Sequence, residues 1–308
     1  MIQVEEKFNI DYIDASSFST FGRCPARYMF SRLMGLSLPD ASKIAPDFGT
    51  AIHRALPYCY DGVDNIDKAI DEFTACWNAF NYPDGGDKKR NRERAIEMLR
   101  DFARGHSRAT CPYDIVKFPF DAPTDELISP NEVPFLIDIG GPLPAAGRID
   151  IPVKWRATKD NWVLDYKTAS EISARYFDNF AMHPQSILYT LAGYHLFGER
   201  VQGMIIEALR VSHVNTETQI GFCWIQEHQI KSFLKQINST AETMLKCNEH
   251  KMWPKNYTGC GSYAMFGFPG RACEFSRLCA GEDWRDAVKI YKRSKPWHPF
   301  KVRSDKNE

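Results

Sequence analysis

The chain has 308 residues, of which 44% are hydrophobic and 25% are charged, as is typical of a soluble globular protein. Basic and acidic residues number 39 each, so overall charge gives no argument for nucleic acid binding. No stretch approaches about 18 consecutive apolar residues, which excludes a hydrophobic membrane span, and the polar start lacks a signal-peptide core. The sequence therefore predicts a cytoplasmic location, where the nine cysteines would be metal ligands or buried thiols rather than disulfides.

The first third of the chain has the apolar periodicity of helices. A short helix begins near Ser16, and Pro25 favours the first turn of a second one. The strongest amphipathic pattern follows, in which Ile66, Ile70 and Phe73 recur on one face. The helices predicted in this part are 16–21, 25–33, 47–58, 64–80 and 88–104.

Farther along, the pattern changes to short apolar segments separated by proline and glycine, which is typical of strands. The predicted strands are 113–120, 132–139, 146–155, 162–168, 203–211 and 219–225, with helices at 184–197 and 227–247. The class is therefore mixed α/β, with a central mixed β-sheet flanked by helices. One domain over 1–308 would contain a helical N-terminal part (16–110), a sheet core (111–226), a long helix with a cysteine-rich region (227–280) and a charged tail (281–308).

Two carboxylates and a lysine lie at the ends of strand-like segments in the middle of the chain. Asp165 and Lys167 follow one apolar run, and Asp150 ends the segment before it. Since side chains alternate along a strand, Asp165 and Lys167 share a face, with the Tyr166 carbonyl between them. Such a set can hold a divalent metal ion through oxygen ligands and place an ammonium group beside an attacking water. The alternative interpretation is a hairpin with ordinary exposed charges.

The turn between these two segments decides whether the carboxylates can meet. A symmetric turn at 159–160 would pair Asp165 with a residue near Lys154, about 13 Å from Asp150 at ~3.3 Å per residue. An earlier turn near Ala157, or a bulge, would remove this offset. Shared metal binding requires one of these two arrangements.

Three further polar side chains are candidates for the same site. His53 flanks the apolar face of a predicted helix, where a lone histidine is more often a packed core or surface residue than a metal ligand. Gln185 and Tyr189 are spaced i, i+4 and share one helix face, from which an amide and a phenol can reach a phosphate or a base. The competing interpretation of this pair is a half-buried polar face.

The cysteines divide into two groups. Cys260, Cys273 and Cys279 lie in one loop-rich segment, and Cys24 precedes a proline far upstream. Four thiolates suit zinc or an iron–sulfur cluster, and the spacing, which has no CxxC pair, leaves both open. The others are interpreted as small buried hydrophobic residues: Cys59, Cys76, Cys111, Cys223 and Cys247.

In their order along the chain, these segments resemble the motifs of RecB-like nucleases of the PD-(D/E)XK superfamily. The similar boxes are CPxxY at 21–28, GxxxH at 49–53, GxxD at 147–150, (D/E)YK at 165–167 and QxxxY at 185–189. Cys273 and Cys279 resemble the end of the cluster region in iron–sulfur members, which include CRISPR-adaptation exonucleases, the AddB nuclease domain and phage-encoded relatives. The sequence departs from the usual CxxC by placing twelve residues between Cys260 and Cys273.

The resemblance implies a restriction-endonuclease-like core and a DNA exonuclease that acts on single-stranded ends with Mn²⁺ or Mg²⁺. Lys167 would orient or activate the water, and Gln185 and Tyr189 would support the site or the DNA strand. Glu132 lies on a strand where relatives often carry a glutamate. The metal ligands implied are His53, Asp150, Asp165 and the Tyr166 carbonyl.

The resemblance also implies a cluster and partners. DNA would be the substrate, and relatives suggest protein partners in recombination or CRISPR adaptation and a homo-oligomer. Two alternatives from other classes are a non-catalytic DNA-binding or assembly subunit that keeps the fold, and a zinc-stapled structural protein. The implied ligands of a [4Fe–4S] cluster, with zinc as the alternative, are Cys24, Cys260, Cys273 and Cys279.

Overall fold

The computed structural model describes residues 1–38, 43–60, 65–82, 86–107, 109–118, 132–173, 175–214, 216–257, 260, 273–281, 284–295 and 297–300. Its helices are α1 (Ala15–Arg23), α2 (Pro25–Tyr28), α3 (Ile44–Ala55), α4 (Ile66–Ala79), α5 (Arg92–Gly105), α6 (Pro184–Phe197), α7 (Glu227–Glu249), α8 (Ser276–Ala280) and α9 (Trp284–Ala287). Its strands are β1 (Ile2–Gln3), β2 (Leu36–Ser37), β3 (Tyr113–Ile115), β4 (Val133–Ile137), β5 (Ala145–Ile149), β6 (Ile151–Trp155), β7 (Asn161–Ala169), β8 (Val201–Arg210), β9 (Thr218–Trp224), β10 (Met252–Trp253) and β11 (Lys292–Arg293). In these ranges no helix has both the length and the apolar character to cross a membrane.

The predicted fold class is confirmed, and α6 begins and ends where the sequence predicts. Its boundaries have clear causes, since Pro184 occupies the first turn and Gly198, at φ 65°, ends the helix in the left-handed conformation. The predicted start of α5 is wrong by four residues. The Asp87 carboxylate accepts the backbone N–H groups of Lys89 and Arg90, each at 2.7 Å, and this turn delays the helix until Arg92.

The strand predicted at 146–155 is wrong in its continuity. It is broken at Asp150 into β5 and β6, and the two halves pair with different strands. At the break, Asp150 Oδ2 accepts the backbone N–H of Tyr166 at 2.9 Å, so a side chain replaces a ladder hydrogen bond. β3 is also shorter than predicted, ending at Ile115, and the part of that prediction from 119 onward lies outside the described residues.

Two compact units, each made of separated segments, emerge from the contacts within the chain. The flanking unit consists of Met1–Ala41, Pro134–Gly147 and His228–Glu308, and the sheet unit consists of Ser42–Val133 and Arg148–Glu227. The single domain over 1–308 stays a prediction.

The sheet unit is built on a mixed five-stranded sheet of order β3-β6-β7-β8-β9. The central pair β7–β8 is parallel and the other pairs are antiparallel. β7 separates two layers. Leu164 and Tyr166 join a buried core with side chains of α3, α4 and α5. Val163, on the opposite face, packs against α6. A Cβ added at Gly193 of that helix would lie 2.9 Å from Val163 Cγ1. Glycine at 193 therefore permits the close helix–sheet contact.

The flanking unit has an aromatic core of its own. Trp253, on β10, pairs with β1 and packs against the rings of Phe8, Phe21 and Tyr28. The Asn248 side chain, near the end of α7, donates to the Phe8 carbonyl and accepts the Phe8 N–H, both at 2.8 Å. These contacts hold the N-terminal segment along α7.

Candidate active site

The hairpin of β6 and β7 brings the two predicted carboxylates together. Ile151 pairs with Leu164 and Lys154 with Asn161, so the turn is centred between positions 157 and 158. This is the earlier of the two registers that the sequence left open. Extended by one residue, the same register sets Asp150 opposite Asp165.

Asp165 is the most buried charged side chain of this cluster, with only 3% of its side chain exposed. Its Oδ1 accepts a 2.8 Å hydrogen bond from Gln185 Nε2, in the first turn of α6. Its Oδ2 is paired with the Lys167 ammonium group, in a contact that combines an ion pair with a hydrogen bond. Both oxygens of this buried carboxylate are therefore directed by side chains of the cluster, one by a neutral amide and the other by a charged ammonium group.

His53 approaches Asp150 from α3. Its Nδ1 lies 3.3 Å from Asp150 Oδ2. The approach depends on Gly49, one turn earlier, because a Cβ there would lie 3.0 Å from Thr168 Oγ1 on β7. Burial and the neighbouring Lys167 charge lower the pKa of His53 to about 4. The imidazole is therefore neutral near pH 7, which is the form that binds metal ions.

The cluster holds more negative charge than its surroundings readily accommodate. Burial and the nearby Asp165 raise the pKa of Asp150 well above its usual range. Burial alone would lower the pKa of Lys167, but the charges of Asp165 and Asp150 outweigh it and raise that pKa. Glu132, whose pKa is raised by burial, adds a third acidic group, and it forms a 3.1 Å ion pair with Arg148.

Gln185 and Tyr189 lie beside these carboxylates, as their shared helix face predicts. Burial raises the pKa of Tyr189, and the charges of Asp165 and Asp150 raise it further. Its hydroxyl hydrogen-bonds to the Gln185 side chain and to the Arg148 backbone. α6 therefore supplies an amide and a phenol to the same small volume.

Two residues near the site were missed in the sequence. Arg148 lies inside the GxxD box. Its charge is opposite to that of Glu132 on a neighbouring predicted strand, and this complementarity is the sequence feature that would have indicated their ion pair. Tyr176 follows β7, and the charges of Lys167 and Asp165 both act on its phenol, whose pKa is raised by burial. The sequence feature that would have indicated Tyr176 is the closely spaced aromatic residues between β7 and α6.

The side chains of this cluster do not by themselves form a metal cage. Within the described ranges, no three His, Cys, Asp or Glu side chains are arranged so that they could hold a metal ion. Asp150 is held by His53 and the Tyr166 N–H, whereas Asp165 is held by Gln185 and Lys167. The two carboxylates are neighbours with separate sets of partners.

The four cysteines singled out as possible cluster ligands all belong to the flanking unit. The Asn256 backbone links two of them, since its N–H donates to Cys24 Sγ at 3.4 Å and its carbonyl accepts from Cys260 Sγ at 3.2 Å. Burial raises the pKa of Cys279 to about 11, and Cys24, Cys260 and Cys273 are all close enough to raise it further. The thiols therefore lie in one neighbourhood.

All nine cysteines are free thiols. The five that the sequence places in the core differ in their burial. Cys59, Cys111 and Cys223 are buried, as predicted, whereas Cys76 and Cys247 are partly exposed.

Comparison with known proteins gives a family match over most of the chain. The family model of the PD-(D/E)XK nuclease superfamily matches residues 13–280. A crystal structure from Eubacterium rectale, of a protein provisionally named as an exonuclease, is similar at 14% identity and a TM-score of 0.49, covering 88% of this chain and 94% of that one. SSO0001 is similar at 11% identity and a TM-score of 0.29, covering 65% and 74%. A search of curated proteins finds no significant match.

Proposed function

Because the chain belongs to the PD-(D/E)XK nuclease superfamily, we propose that it is a metal-dependent DNA exonuclease acting on single-stranded ends. The active site is the cluster of Asp150, Asp165 and Lys167 in the sheet unit. The observation that carries this proposal is a pair of carboxylates, buried Asp165 and partly buried Asp150, which lie opposite each other in the hairpin with the ammonium group of Lys167 paired to Asp165. A purely structural ion pair would not place a second carboxylate beside Asp165, because the two negative charges repel each other. A divalent cation would neutralise the negative charge of the two carboxylates.

The donors fit Mn²⁺ or Mg²⁺. The carboxylates of Asp150 and Asp165 and the Tyr166 carbonyl are hard oxygen ligands, and neutral His53 adds an imidazole that favours Mn²⁺. A bound divalent ion would polarise a phosphodiester oxygen and lower the pKa of a bound water.

The protein side chains have separate roles in this proposal. Lys167, held against Asp165, orients the attacking water and stabilises the charge that develops on the phosphate oxygens. Gln185 fixes the orientation of the Asp165 carboxylate through Oδ1, so that Oδ2 faces the reaction. Tyr189 holds Gln185 in turn and therefore acts as a positioning residue.

A nuclease assay tests the proposal directly. End-labelled linear single strands should be degraded with MnCl₂ and left intact with EDTA, and circular single strands should resist. Lys167→Ala should abolish degradation, whereas Lys246→Ala, at an exposed position on α7, should match the wild type. Equal cleavage of circles would contradict exonuclease action, and preferred cleavage of duplexes would contradict the single-strand preference. An inert wild type would favour the non-catalytic subunit.

We further propose that Cys24, Cys260, Cys273 and Cys279 ligate a [4Fe–4S] cluster in the flanking unit. Two observations support this proposal. The four thiols lie close to one another, and the Asn256 N–H donates to Cys24 Sγ, a contact that stabilises a thiolate ligand. Protein purified without oxygen should contain iron and acid-labile sulfide, which Cys279→Ser should remove and Cys247→Ser should not. Stoichiometric zinc in place of iron would support the zinc alternative and contradict the cluster.

The biological setting of the nuclease is proposed only on the family resemblance. Repair, recombination, CRISPR adaptation and phage replication are all pathways of its relatives. Protein partners, a homo-oligomer and a cytoplasmic location stay predictions from the sequence.

A further inference from the structure

The segment that connects β7 to α6 is attached to the proposed active site at both ends. We call residues 175–183 the rim segment. The chain leaves β7 at Ala169, two residues after Lys167, and enters α6 at Pro184. The next residue, Gln185, donates its 2.8 Å hydrogen bond to Asp165. Whatever the rim segment presents therefore lies beside the reacting groups.

The rim segment is ordered by its own hydrogen bonds and by one aromatic anchor. Backbone bonds of 3.3 and 3.2 Å, from Ala181 to Asp178 and from His183 to Phe180, hold it in short helical turns. Phe177 fixes the rim segment to β9. Its ring fills the space beside Gly221, where an added Cβ would lie only 2.1 Å from Phe177 Cδ1. A residue larger than glycine at 221 would displace this anchor.

The other aromatic side chains of the rim segment, Tyr176, Phe180 and His183, form a series of neighbouring rings. Phe180 and His183 are three residues apart in a 3₁₀ turn and so lie on the same side of it, and the Tyr176 ring lies next to Phe180. Their ring centroids follow each other at 5.6 and 6.1 Å, with interplanar angles of 59° and 57°. All three side chains are half-buried, so part of each ring reaches solvent. Tyr176 is the member closest to the active site, since Lys167 and Asp165 act on it electrostatically.

We propose that Tyr176, Phe180 and His183 form a stacking face for the bases of a single-stranded DNA whose scissile phosphodiester lies at Asp165 and Lys167. This inference rests on the proposed nuclease function. Bases in a single strand expose their π-faces to aromatic rings, whereas bases in a duplex are already stacked. The exposed Arg175, next to Tyr176, adds positive charge for the sugar–phosphate backbone.

Simple packing of the turn is the competing explanation for these rings. Phe177 already serves that purpose by its contact with β9, and its ring also lies 5.3 Å from that of Tyr176. The remaining rings rise from the turn in a row that begins beside Lys167. A row of partly exposed rings next to a phosphodiester site favours contact with a polymeric substrate over internal packing.

A binding experiment separates stacking from backbone contact. Fluorescence anisotropy with Ca²⁺ measures the affinity of the full chain for a labelled oligothymidine and for an abasic strand of the same length. The double variant Tyr176→Leu/Phe180→Leu should lose affinity for oligothymidine by at least about fivefold per lost stack and keep its affinity for the abasic strand. Tyr176→Trp, which enlarges the π-face, should bind oligothymidine at least as tightly as the wild type.

The control is Trp224→Leu, which removes a 55% exposed aromatic side chain from β9 and should change neither affinity. Unchanged oligothymidine affinity in the double variant would overturn the proposal, and so would an equal loss for both strands. If the double variant is unfolded by circular dichroism, Phe180→Leu and Tyr176→Trp give the same comparison singly. A wild type that binds with this base dependence but does not cleave with Mn²⁺ would refute the nuclease and leave the stacking face supported.

Discussion

Two buried carboxylates of the sheet unit lie almost side by side and have opposite surroundings. Tyr166 pairs with Glu207 in the parallel register of β7 and β8, so Asp165 and Glu207 are one position apart on opposite faces of the sheet. Both oxygens of Glu207 are occupied, Oε1 by His106 Nε2 and Oε2 by the Tyr113 hydroxyl, each at 2.7 Å. Asp165 Oδ2 is paired with the Lys167 ammonium group, and a second, partly buried carboxylate, that of Asp150, lies next to Asp165.

The partners of Glu207 are themselves satisfied. His106 Nδ1 donates to the Phe102 carbonyl at 2.7 Å, and the His106 ring stacks on Phe102 at 3.7 Å. The Tyr60 and Tyr113 hydroxyls share a 2.9 Å hydrogen bond. A buried polar network that is fully paired gives rigidity, whereas two carboxylates placed side by side retain negative charge that a cation can neutralise. A second carboxylate beside it, more than burial, therefore distinguishes the functional carboxylate from the structural one.

Asp165→Asn tests the functional assignment of this carboxylate most severely, because it should abolish most of the activity. Cleavage of single-stranded DNA should fall at least about 10²–10³-fold, because the variant loses a charge used in the reaction. The free energy of unfolding should stay the same or rise, since repulsion with Asp150 is relieved. Initial rates and urea denaturation measure the two quantities. A variant that cleaves normally, or that unfolds, would show that Asp165 is structural.

The opposite result is expected for Glu207, whose replacement should lower stability and leave activity unchanged. Glu207→Ala should lower the free energy of unfolding by about 3–5 kcal/mol, because it leaves buried His106 and Tyr113 without their shared partner. The cleavage rate per folded molecule should not change. Glu217→Ala, which removes a 39% exposed side chain from a surface ion pair with Arg210, serves as the matched control and should leave the free energy of unfolding nearly unchanged. Equal destabilisation of both variants would contradict the structural role assigned to Glu207.

A more modest change is expected when the close approach of α6 to β7 is altered. In Gly193→Ala, the new Cβ would lie 2.9 Å from Val163 Cγ1 and 3.1 Å from Val201 Cγ2, so overpacking of about 1–3 kcal/mol should outweigh a gain of about 1 kcal/mol in helix propensity. Cleavage should weaken as Gln185 moves from Asp165. Gly22→Ala, with nothing within 4 Å of the added Cβ, should instead be stabilised by about 0.4–1 kcal/mol. Chemical denaturation of both variants should give opposite signs, and two gains would refute the tight contact.

Local periodicity was enough to predict the parts of the site that lie on a single element. Alternation along β7 placed Asp165 and Lys167 on one face, and the i, i+4 spacing on α6 placed Gln185 and Tyr189 together. The fold class followed from helical patterns giving way to short apolar strands. These features depend only on neighbours in the sequence, and the structure has all of them.

The features that sequence reasoning missed depend on distant pairing. Glu207 sits in a strand that was predicted correctly, but its partners His106 and Tyr113 lie 101 and 94 residues away, and no local pattern marks them. The break at Asp150 was missed because residues 146–155 alternate between apolar and polar side chains with the period of a single strand on both sides of the break. The hairpin register was open for the same reason, since turn position depends on which side chains the sheet buries.

The 2.8 Å hydrogen bond between Gln185 and Asp165 joins residues 20 positions apart, and so it closes a loop around the rim segment. Both ends of this loop are fixed by the sheet and by α6, which makes its interior the part of the site that can be exchanged without moving the carboxylates. Insertions or swaps between Ala169 and Pro184 would alter which strands are accepted while the hydrolytic groups keep their positions. Substrate preference and chemistry can in this way diversify independently, and this loop is where engineering of a new specificity should begin.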